Sequence, residues 1–558
     1  MSKVIIGFIN PPHADWSLAN NLTYLLCQTH YKYKGKYNDK ISWLEAPYKW
    51  DVYESYDEIY ERLKDAHIIL FSSYIWNYSL VDDLAKLAKK QNPNVITVLG
   101  GPHIGVNVPS FLEPRKEKYD FICQPTKPGE VFVEDLINSY IEKDGHPCIE
   151  EISWELRSSK TRSCPMPSYS TYEHHLDYLT KTSQYAKEQE LDPFIPLETT
   201  RGCPYRCVYC EWGGGLNTKI LKKDTEIVKK DILALKKAGF EDASLIDANF
   251  GAFEDRDLEI LDFAWNHQLP IIEISSVKRT NLNKRKDLID KYFEIIKKAS
   301  DRHGYNFVHT SFVVPSVALQ SLSDEAMKIS DRVDLSAQDK LELSRHIKLR
   351  CSEQKLPPPH MELILGMPGS TIEDFYDEFE IIWNFGAHGL SRYDYMVLPD
   401  STISNPQYLE KYNIQTVEVY TDLIDEDCVD NWKSLYKNRR NYFHTISSCY
   451  SYTVEEMHEM WFMNHAGNKL LQDVYPMFHN DITPSRFGKL CYRILNKLPD
   501  FEPIHFYIVD LLDPHTPSLN SKRINKELHN EVINNLIEKA QSLIVGELYL
   551  TLDFSNEK

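Results

Sequence analysis

Over residues 1 to about 145, short apolar and β-branched runs alternate with amphipathic stretches. The runs are VIIGFIN (4–10), ISWLEAP (41–47), HIILFSSYIW (67–76), VITVLGG (95–101) and FICQP (121–125). Between them, YDEIYERLKDA and SLVDDLAKLAKKQNP place apolar residues at helical spacing. Runs that are apolar throughout suit strands covered on both faces, so the pattern predicts a doubly wound parallel sheet. Ligands of such sheets sit beyond the carboxyl ends of the strands. That points to the loops NPPHADW, SSYIWN, GGPHIG and PTKPGE.

The rhythm is lost over residues 146–193, where RSSKTRSCPMPSYSTYEHHLDY is rich in Ser, Pro and Tyr and suggests an ordered linker. It resumes over 194–400 with a longer period. Strand candidates there are FIPLETT, ASLIDANF, PIIEISSV, SFVVPSVALQS, HMELILGMP and SRYDYMVLP, with helix patterns such as DTEIVKKDILALKKAG between them. Six strands each followed by a helix predict a partial (βα)6 barrel with a site at its C-terminal rim. Residues 401–558 are mixed in pattern, mostly helical, and rich in Tyr, Trp, His and Met, ending on the alternating ELYLTLDF (547–554). The expected fold is therefore α/β. A Rossmann-like domain (1–145), a linker (146–193), a barrel (194–400) and a mostly helical C-terminal domain (401–558) follow one another.

Composition narrows the function classes. The 558 residues exceed what one core can organise, and 42% hydrophobic with 26% charged residues is ordinary for a globular chain. With 63 Lys and Arg against 82 Asp and Glu, the net charge of -19 argues against nucleic acid as a partner. No apolar run reaches the ~18 residues of a membrane span, and the apolar start is too short for a secretory signal. The expectation is a cytoplasmic protein with no membrane partner. Eight of the 11 cysteines are scattered, as for thiols in a reducing compartment.

The other three cysteines are Cys203, Cys207 and Cys210, in TTRGCPYRCVYCEWGGG (199–215). A structural zinc site wants four ligands, and no second Cys or His pair follows within the next ~25 residues. A disulfide would leave one thiol over. Three thiolates on a loop after a strand suit a 4Fe-4S cluster in which the fourth iron has no protein ligand.

With its spacing and an aromatic Tyr209 before the last cysteine, this motif resembles that of the radical S-adenosylmethionine (SAM) enzymes. The resemblance extends to LIDANFG (245–251), SVALQSLSDEAMKISDR (316–332), LILGMPGSTIEDF (363–375) and VLPDSTIS (397–404). It implies that SAM chelates the open iron and is cleaved reductively to a 5'-deoxyadenosyl radical. A flavodoxin or ferredoxin would supply the electron. By the same resemblance, SAM contacts fall on Tyr209, Trp212, Gly213, Asp247, Asn249, Gln320, Gly366 and Met367. Several of these positions have plainer readings. Asp247 suits a strand-end cap as well as a ligand contact, Gln320 suits a satisfied polar residue, and GMPGST suits a turn opening a helix at Ser370 or Thr371.

The loops SSYIWN and LGGPHIG resemble those of the cobalamin-binding domain found before the barrel in cobalamin-dependent radical SAM enzymes. The resemblance places the corrin's buried tail against Ser72, Ser73, Gly100 and Gly101, and adds Trp76, Pro102 and His103 as corrin contacts. The Asp-x-His-x-x-Gly segment of domains that ligate cobalt is absent, and NPPHADWS stands in its place. His13 and His103 are candidate cobalt ligands, but each reads more readily as a hydrogen-bonding loop histidine. The departure implies a corrin with no protein histidine on cobalt and Tyr74 or Trp76 at its lower face. A dinucleotide domain would need a GxGxxG after the first strand, which is missing; a flavodoxin-like domain without ligand remains open.

The resemblance implies a methyltransferase that moves a methyl group from SAM through methylcobalamin to an unactivated carbon or phosphorus of a small-molecule or peptide substrate. A ring contraction, cyclisation or other rearrangement is the alternative enzyme reading, and a corrin and iron-sulfur sensor without turnover is the non-enzymatic one. No catalytic acid or base is identified.

Overall fold

The computed structural model of the protein describes residues 3–9, 21–48, 55–75, 77–104, 113–123, 128–148, 166–190, 195–210, 220–272, 281–311, 317–385, 389–399, 401–420, 442–464, 475–477 and 482–495. The first unit is a five-stranded parallel sheet of β1 (Val4–Ile9), β2 (Ile41–Trp43), β3 (Ile68–Ser72), β4 (Ile96–Gly100) and β5 (Phe121–Ile122), in the order β2-β1-β3-β4-β5. Helices α1 (Leu22–Lys34), α2 (Tyr56–Leu63), α3 (Tyr78–Gln91) and α4 (Gly129–Glu142) cover it. Side chains alternate across a strand, and β3 shows the consequence. Ile68 and Leu70 pack with Leu25 of α1 and Leu136 of α4, whereas Ile69 and Phe71 pack with Ile59 of α2 and Leu80 of α3. The strand is buried along its whole length, hence its continuous apolar run. Strand order reverses between β1 and β3, which sets a crevice at their carboxyl ends.

Helices α5 (Thr171–His174) and α6 (Leu176–Glu188) lie within the segment whose composition suggests a linker. They join the two units: Asn21 Nδ2 donates to Tyr178 Oη at 2.7 Å, and Thr29 Oγ1 meets His175 Nε2 at 2.9 Å. Tyr172, Tyr178 and Leu179 belong to one continuous core with Leu25 and Leu136 on one side and Val228 and Ile232 on the other.

The barrel follows. In chain order its elements are β6 (Pro196–Leu197), the antiparallel pair β7 (Thr200–Arg201) and β8 (Leu221–Lys222), α7 (Thr225–Ala238), β9 (Ala243–Leu245), α8 (Glu254–Asn266) and β10 (Ile271–Ile272). Then come α9 (Leu282–His303), α10 (Tyr305–Ser311), β11 (Val317–Gln320), α11 (Asp324–Ile329), α12 (Ala337–Glu353), β12 (His360–Leu365), α13 (Ile372–Phe385) and β13 (Gly389–Asp394). Six of these strands form two parallel triplets, β6-β9-β10 and β11-β12-β13. The strands are shorter than their apolar runs: Ser311, inside the run SFVVPSVALQS, ends a helix, and Thr199 lies past the end of β6, bound to the carboxylate of Asp247 just beyond β9.

The C-terminal region carries helices α14 (Pro406–Lys411), α15 (Val454–Phe462) and α16 (Pro484–Leu495), in line with its pattern. Among them lies an antiparallel sheet of β14 (Met396–Val397), β15 (Gln415–Tyr420) and β16 (Tyr442–Ser448) that the pattern does not announce. Met457, Met460, Trp461 and Phe487 pack on Leu365, Phe375 and Phe379 of the barrel, a methionine-rich contact suited to filling irregular gaps. The expected strand at 547–554 lies outside the described residues. Among the described residues no helix is long and apolar enough to cross a membrane.

Candidate functional site: a three-thiol loop at the barrel rim

The cysteine loop has no regular structure of its own and is held by the chain around it. Cys203 and Cys207 are 5% and 4% exposed, and Cys210 is half-buried. Inside the loop, Cys210 N–H donates to Cys207 O at 3.0 Å. Val208 is bound on both sides: its N–H donates to Ser330 O at 3.0 Å, and its carbonyl accepts from Ile403 N–H at 3.1 Å. The next residue, Tyr209, accepts at its hydroxyl from Arg332 Nη1 at 2.9 Å and turns its ring edgewise to Tyr395. Two other segments picked out in the sequence, 316–332 and 397–404, therefore grip the loop.

Among the described residues no group of three or more His, Cys, Asp or Glu side chains could hold a metal ion as it stands. The three thiols share one loop at the barrel mouth without converging on a common centre. The donor set still fits an iron-sulfur cluster: three soft ligands within eight residues, two of them buried. Metal sites are often completed by the metal itself.

The approach to the loop is fixed by buried charges. Asp247, just beyond β9, accepts from Thr199 N–H at 2.7 Å, Thr200 N–H at 2.9 Å and Thr199 Oγ1 at 2.5 Å. Burial raises its carboxyl to about 6, with those donors opposing the shift. Arg256 donates to Thr199 O at 2.9 Å and Lys223 O at 2.7 Å. Asp247 thus acts as the strand-end cap. Nearby Asn249 is 3% exposed, and its Oδ1 has no hydrogen-bond partner among the described residues. A buried acceptor of this kind at a barrel rim fits a ligand's N–H or O–H.

At the end of β11, a bulge between Ala318 and Gln320 puts Gln320 in the left-handed region at φ 62°. The strain is held from several sides. Lys340 Nζ donates to Leu319 O at 2.8 Å and Ser321 O at 3.3 Å, the carbonyls flanking Gln320. Glu378 accepts from Ser321 Oγ and Leu322 N–H, both at 2.5 Å. Arg332 donates to Ala318 O at 3.1 Å and pairs with Asp334 at 2.8 Å. Burial pushes the Lys340 ammonium down to about 8, against the pull of Asp334. Such strain in a non-glycine residue persists only where the surroundings over-determine it.

In GMPGST the side chain of Met367 is fully buried in the C-terminal core, and Gly366 O accepts from Tyr452 Oη at 2.6 Å. Thr371 opens α13: its Oγ1 accepts from Asp374 N–H at 3.1 Å, and its N–H donates to Asp374 Oδ2 at 2.9 Å.

On the first unit, Ser72, Ser73, Gly100, Gly101, Pro102 and His103 lie together at the ends of β3 and β4. Ser73 N–H donates to Gly100 O at 2.8 Å, and Ser73 O accepts from His103 N–H at 3.1 Å. Gly101 has φ 101°, and a Cβ there would lie 2.4 Å from Ser73 O, so only glycine fits. At Gly100 a Cβ would meet ordinary contacts. Ser73 is 1% exposed, and its Oγ has no hydrogen-bond partner among the described residues, again fitting a ligand's polar group. His103 stacks on Tyr78 at 4.8 Å, and burial, helped by Arg115, depresses the imidazole to about 3. His13, Trp76, Trp212 and Gly213 lie outside the described residues.

Residues 46–130 match the family described as B12 binding domain. The chain superposes on TsrM from Kitasatospora setae, a radical S-adenosylmethionine methyltransferase solved with cobalamin and a 4Fe-4S cluster bound. The TM-score is 0.56 at 13% identity, over 97% of this chain and 100% of that one. The chain has the fold of the cobalamin-dependent radical SAM enzymes. A second such enzyme, OxsB with aqua-cobalamin and S-adenosylmethionine bound, aligns with TM-score 0.52 and 14% identity over 100% of this chain and 81% of that one. In sequence, the chain is 26% identical over 371 residues to the cobalamin-dependent radical SAM methyltransferase TokK of Streptomyces tokunonensis, covering 64% of this chain and 51% of TokK. It is 24% identical over 366 residues to the 2-(S-pantetheinyl)-carbapenam-3-carboxylate methyltransferase of Streptantibioticus cattleyicolor, again over 64% of this chain and 51% of the relative. The chain thus spans about half the length of these curated relatives.

Residue-by-residue reading of the motifs missed Arg201, Arg256, Arg332, Lys340 and Glu378. Arg201 adjoins the cysteine motif and Arg332 ends a segment already singled out, so both carried a signal. Lys340 and Glu378 sit on amphipathic helices, where a charge ordinarily faces water.

Three outcomes are expected. Asp247→Ala leaves two amides and a hydroxyl without their acceptor and lowers unfolding free energy by on the order of 3 kcal/mol, whereas Asp247→Asn costs ~1 kcal/mol or less, both read by urea titration. Gly101→Ala meets the Ser73 backbone and destabilises the protein by ~2 kcal/mol or more in the same assay. Because His103 stays neutral when folded but takes a proton when unfolded below its ordinary value near ~6.5, it costs stability as pH falls toward 3, by up to ~1.4 kcal/mol per pH unit. Urea titrations between pH 7 and 5 should show a shallower loss for His103→Phe than for the parent.

Proposed function

We propose that the chain is a cobalamin-dependent radical SAM methyltransferase, moving a methyl group from SAM to an unactivated carbon or phosphorus of a small molecule or peptide. The observation that carries this reading is the three-thiol loop, gripped at Val208 and Tyr209 by two rim segments of the barrel and adjoining a domain of the B12-binding family. When bound, the corrin carries the methyl group and the cluster supplies the electron that opens SAM. The chain's own task is to bind, orient and exclude water.

Cys203, Cys207 and Cys210 would hold the cluster. Asn249, with its unsatisfied acceptor, Gln320, held in its strained turn, and the Gly366–Met367 backbone would face SAM, along with Tyr209, Trp212 and Gly213. Asp247 would position the loop rather than touch SAM, since three donors already occupy it. Ser72, Ser73, Gly100 and Gly101 would line the corrin tail, with Pro102, His103 and Trp76 as further corrin contacts. The depressed imidazole of His103, stacked on Tyr78, supports a packing role. The domain limits 1–145, 194–400 and 401–558 belong to the same proposal, as do a flavodoxin or ferredoxin donor and a reducing, cytoplasmic setting in which these thiols stay available.

Anaerobic reconstitution with iron, sulfide and hydroxocobalamin should give about four irons per chain and a bound corrin spectrum. After reduction with SAM and a substrate panel, 5'-deoxyadenosine and S-adenosylhomocysteine should accumulate. Cys207→Ala should lose the iron and both products while retaining the corrin. A loaded protein that consumes no SAM across the panel would favour a corrin and cluster sensor instead.

A further inference from the structure

Arg201 stands two residues before Cys203, in β7, and its guanidinium is shared between two units of the fold. Nε and Nη2 donate to the two carboxylate oxygens of Glu198 at 2.5 and 2.9 Å, a bidentate fork. Nη1 donates at 2.5 Å to Oε1 of Glu130, which is 71 residues away and is the second residue of α4. All three side chains are largely buried, and α4 begins directly after the edge strand of the first unit's sheet. The N-terminus of α4 adds partial positive charge that helps hold a net-negative triad.

We infer that Arg201 is a positioning residue, a lock that fixes the first unit's α4 against the thiol loop through Glu130. Contacts between domains of one chain ordinarily permit relative motion. The Asn21–Tyr178 and Thr29–His175 contacts hold α5 and α6 to the first unit but stop short of the cysteines. The guanidinium of the residue that introduces the loop reaches the first turn of α4. Planarity matters here: one fork satisfies Glu198 bidentately while its remaining edge meets Glu130, which a lysine cannot do. Removing Arg201 leaves two buried carboxylates without a partner, and removing Glu130 leaves the Nη1 edge of the guanidinium without its acceptor, so the arrangement tolerates little drift. The catalytic meaning rests on the function proposed above: a group carried by the first unit and one held by the loop must meet in a fixed geometry, and displacements of about 1 Å are costly there.

The test uses the full-length chain, with and without anaerobic loading, carrying Glu130→Gln, Arg201→Lys or both, and reads amide hydrogen exchange by mass spectrometry. Glu130→Gln should accelerate exchange across 199–210 by ~10-fold or more, and Arg201→Lys should do so at 131–134, with the double variant close to either single one. Glu130→Asp, which keeps the charge and withdraws it by one methylene, should fall between parent and Glu130→Gln. In loaded protein, iron content and corrin spectrum should stay at the parental level while 5'-deoxyadenosine rises relative to methylated product. Parental exchange at 199–210 in Glu130→Gln, or additive effects in the double variant, overturns the lock and leaves a local Arg201–Glu198 pair. Altered exchange together with failure of every loaded protein to cleave SAM keeps the lock and removes the methyltransferase reading.

Discussion

The amide of Val208 belongs to Ser330 and its carbonyl to Ile403. Between them these two hydrogen bonds hold a loop that has neither helix nor strand to define it. A segment that carries three thiols within eight residues cannot rely on local propensity for its shape, since Gly202 and Pro204 favour no regular element. Its shape comes from what surrounds it. The loop therefore inherits the order of the segments 316–332 and 397–404, and perturbing either should be felt at the cysteines.

Buried charge recurs around this loop. Arg332 joins Tyr209 to Asp334 and the Ala318 carbonyl; Lys340 spans the carbonyls beside Gln320; Arg256 holds Thr199 and Lys223; Arg201 joins Glu198 and Glu130. Ion pairs of this kind add little net stability, because desolvation offsets the attraction. What they impose is cost on any arrangement that separates a pair. Under the proposed function two bulky groups would have to meet here, and that calls for such constraint more than for additional core.

Helices α5 and α6 supply the apolar counterpart. Their tyrosines and leucine merge the first unit's core with that of the barrel. The Met-rich C-terminal contact packs against β12 and α13 and also meets Tyr209 of the thiol loop.

Strand and helix alternation, the doubly wound sheet and the thiol motif were all legible along the chain, because each depends on residues close in sequence: a continuous apolar run for a strand covered twice, as in β3, or three cysteines on one loop. The helices α5 and α6 were not, since a Ser- and Tyr-rich stretch carries a weak helical signal until packing on both sides stabilises it. The sheet of β15 and β16 was not, because an antiparallel pairing is set by its partner strand and neither stretch was read as a strand from its own pattern. Asp247 left cap and ligand contact open; only the fold, by bringing Thr199 and Thr200 to its carboxylate, decided for the cap. Likewise a lysine at 340 or a glutamate at 130 looks solvent-facing in any periodicity argument. Sequence by itself determined the local periods and the donor chemistry; the tertiary structure alone chose the partners of the buried charges, because those partners come from chain segments that pattern cannot connect.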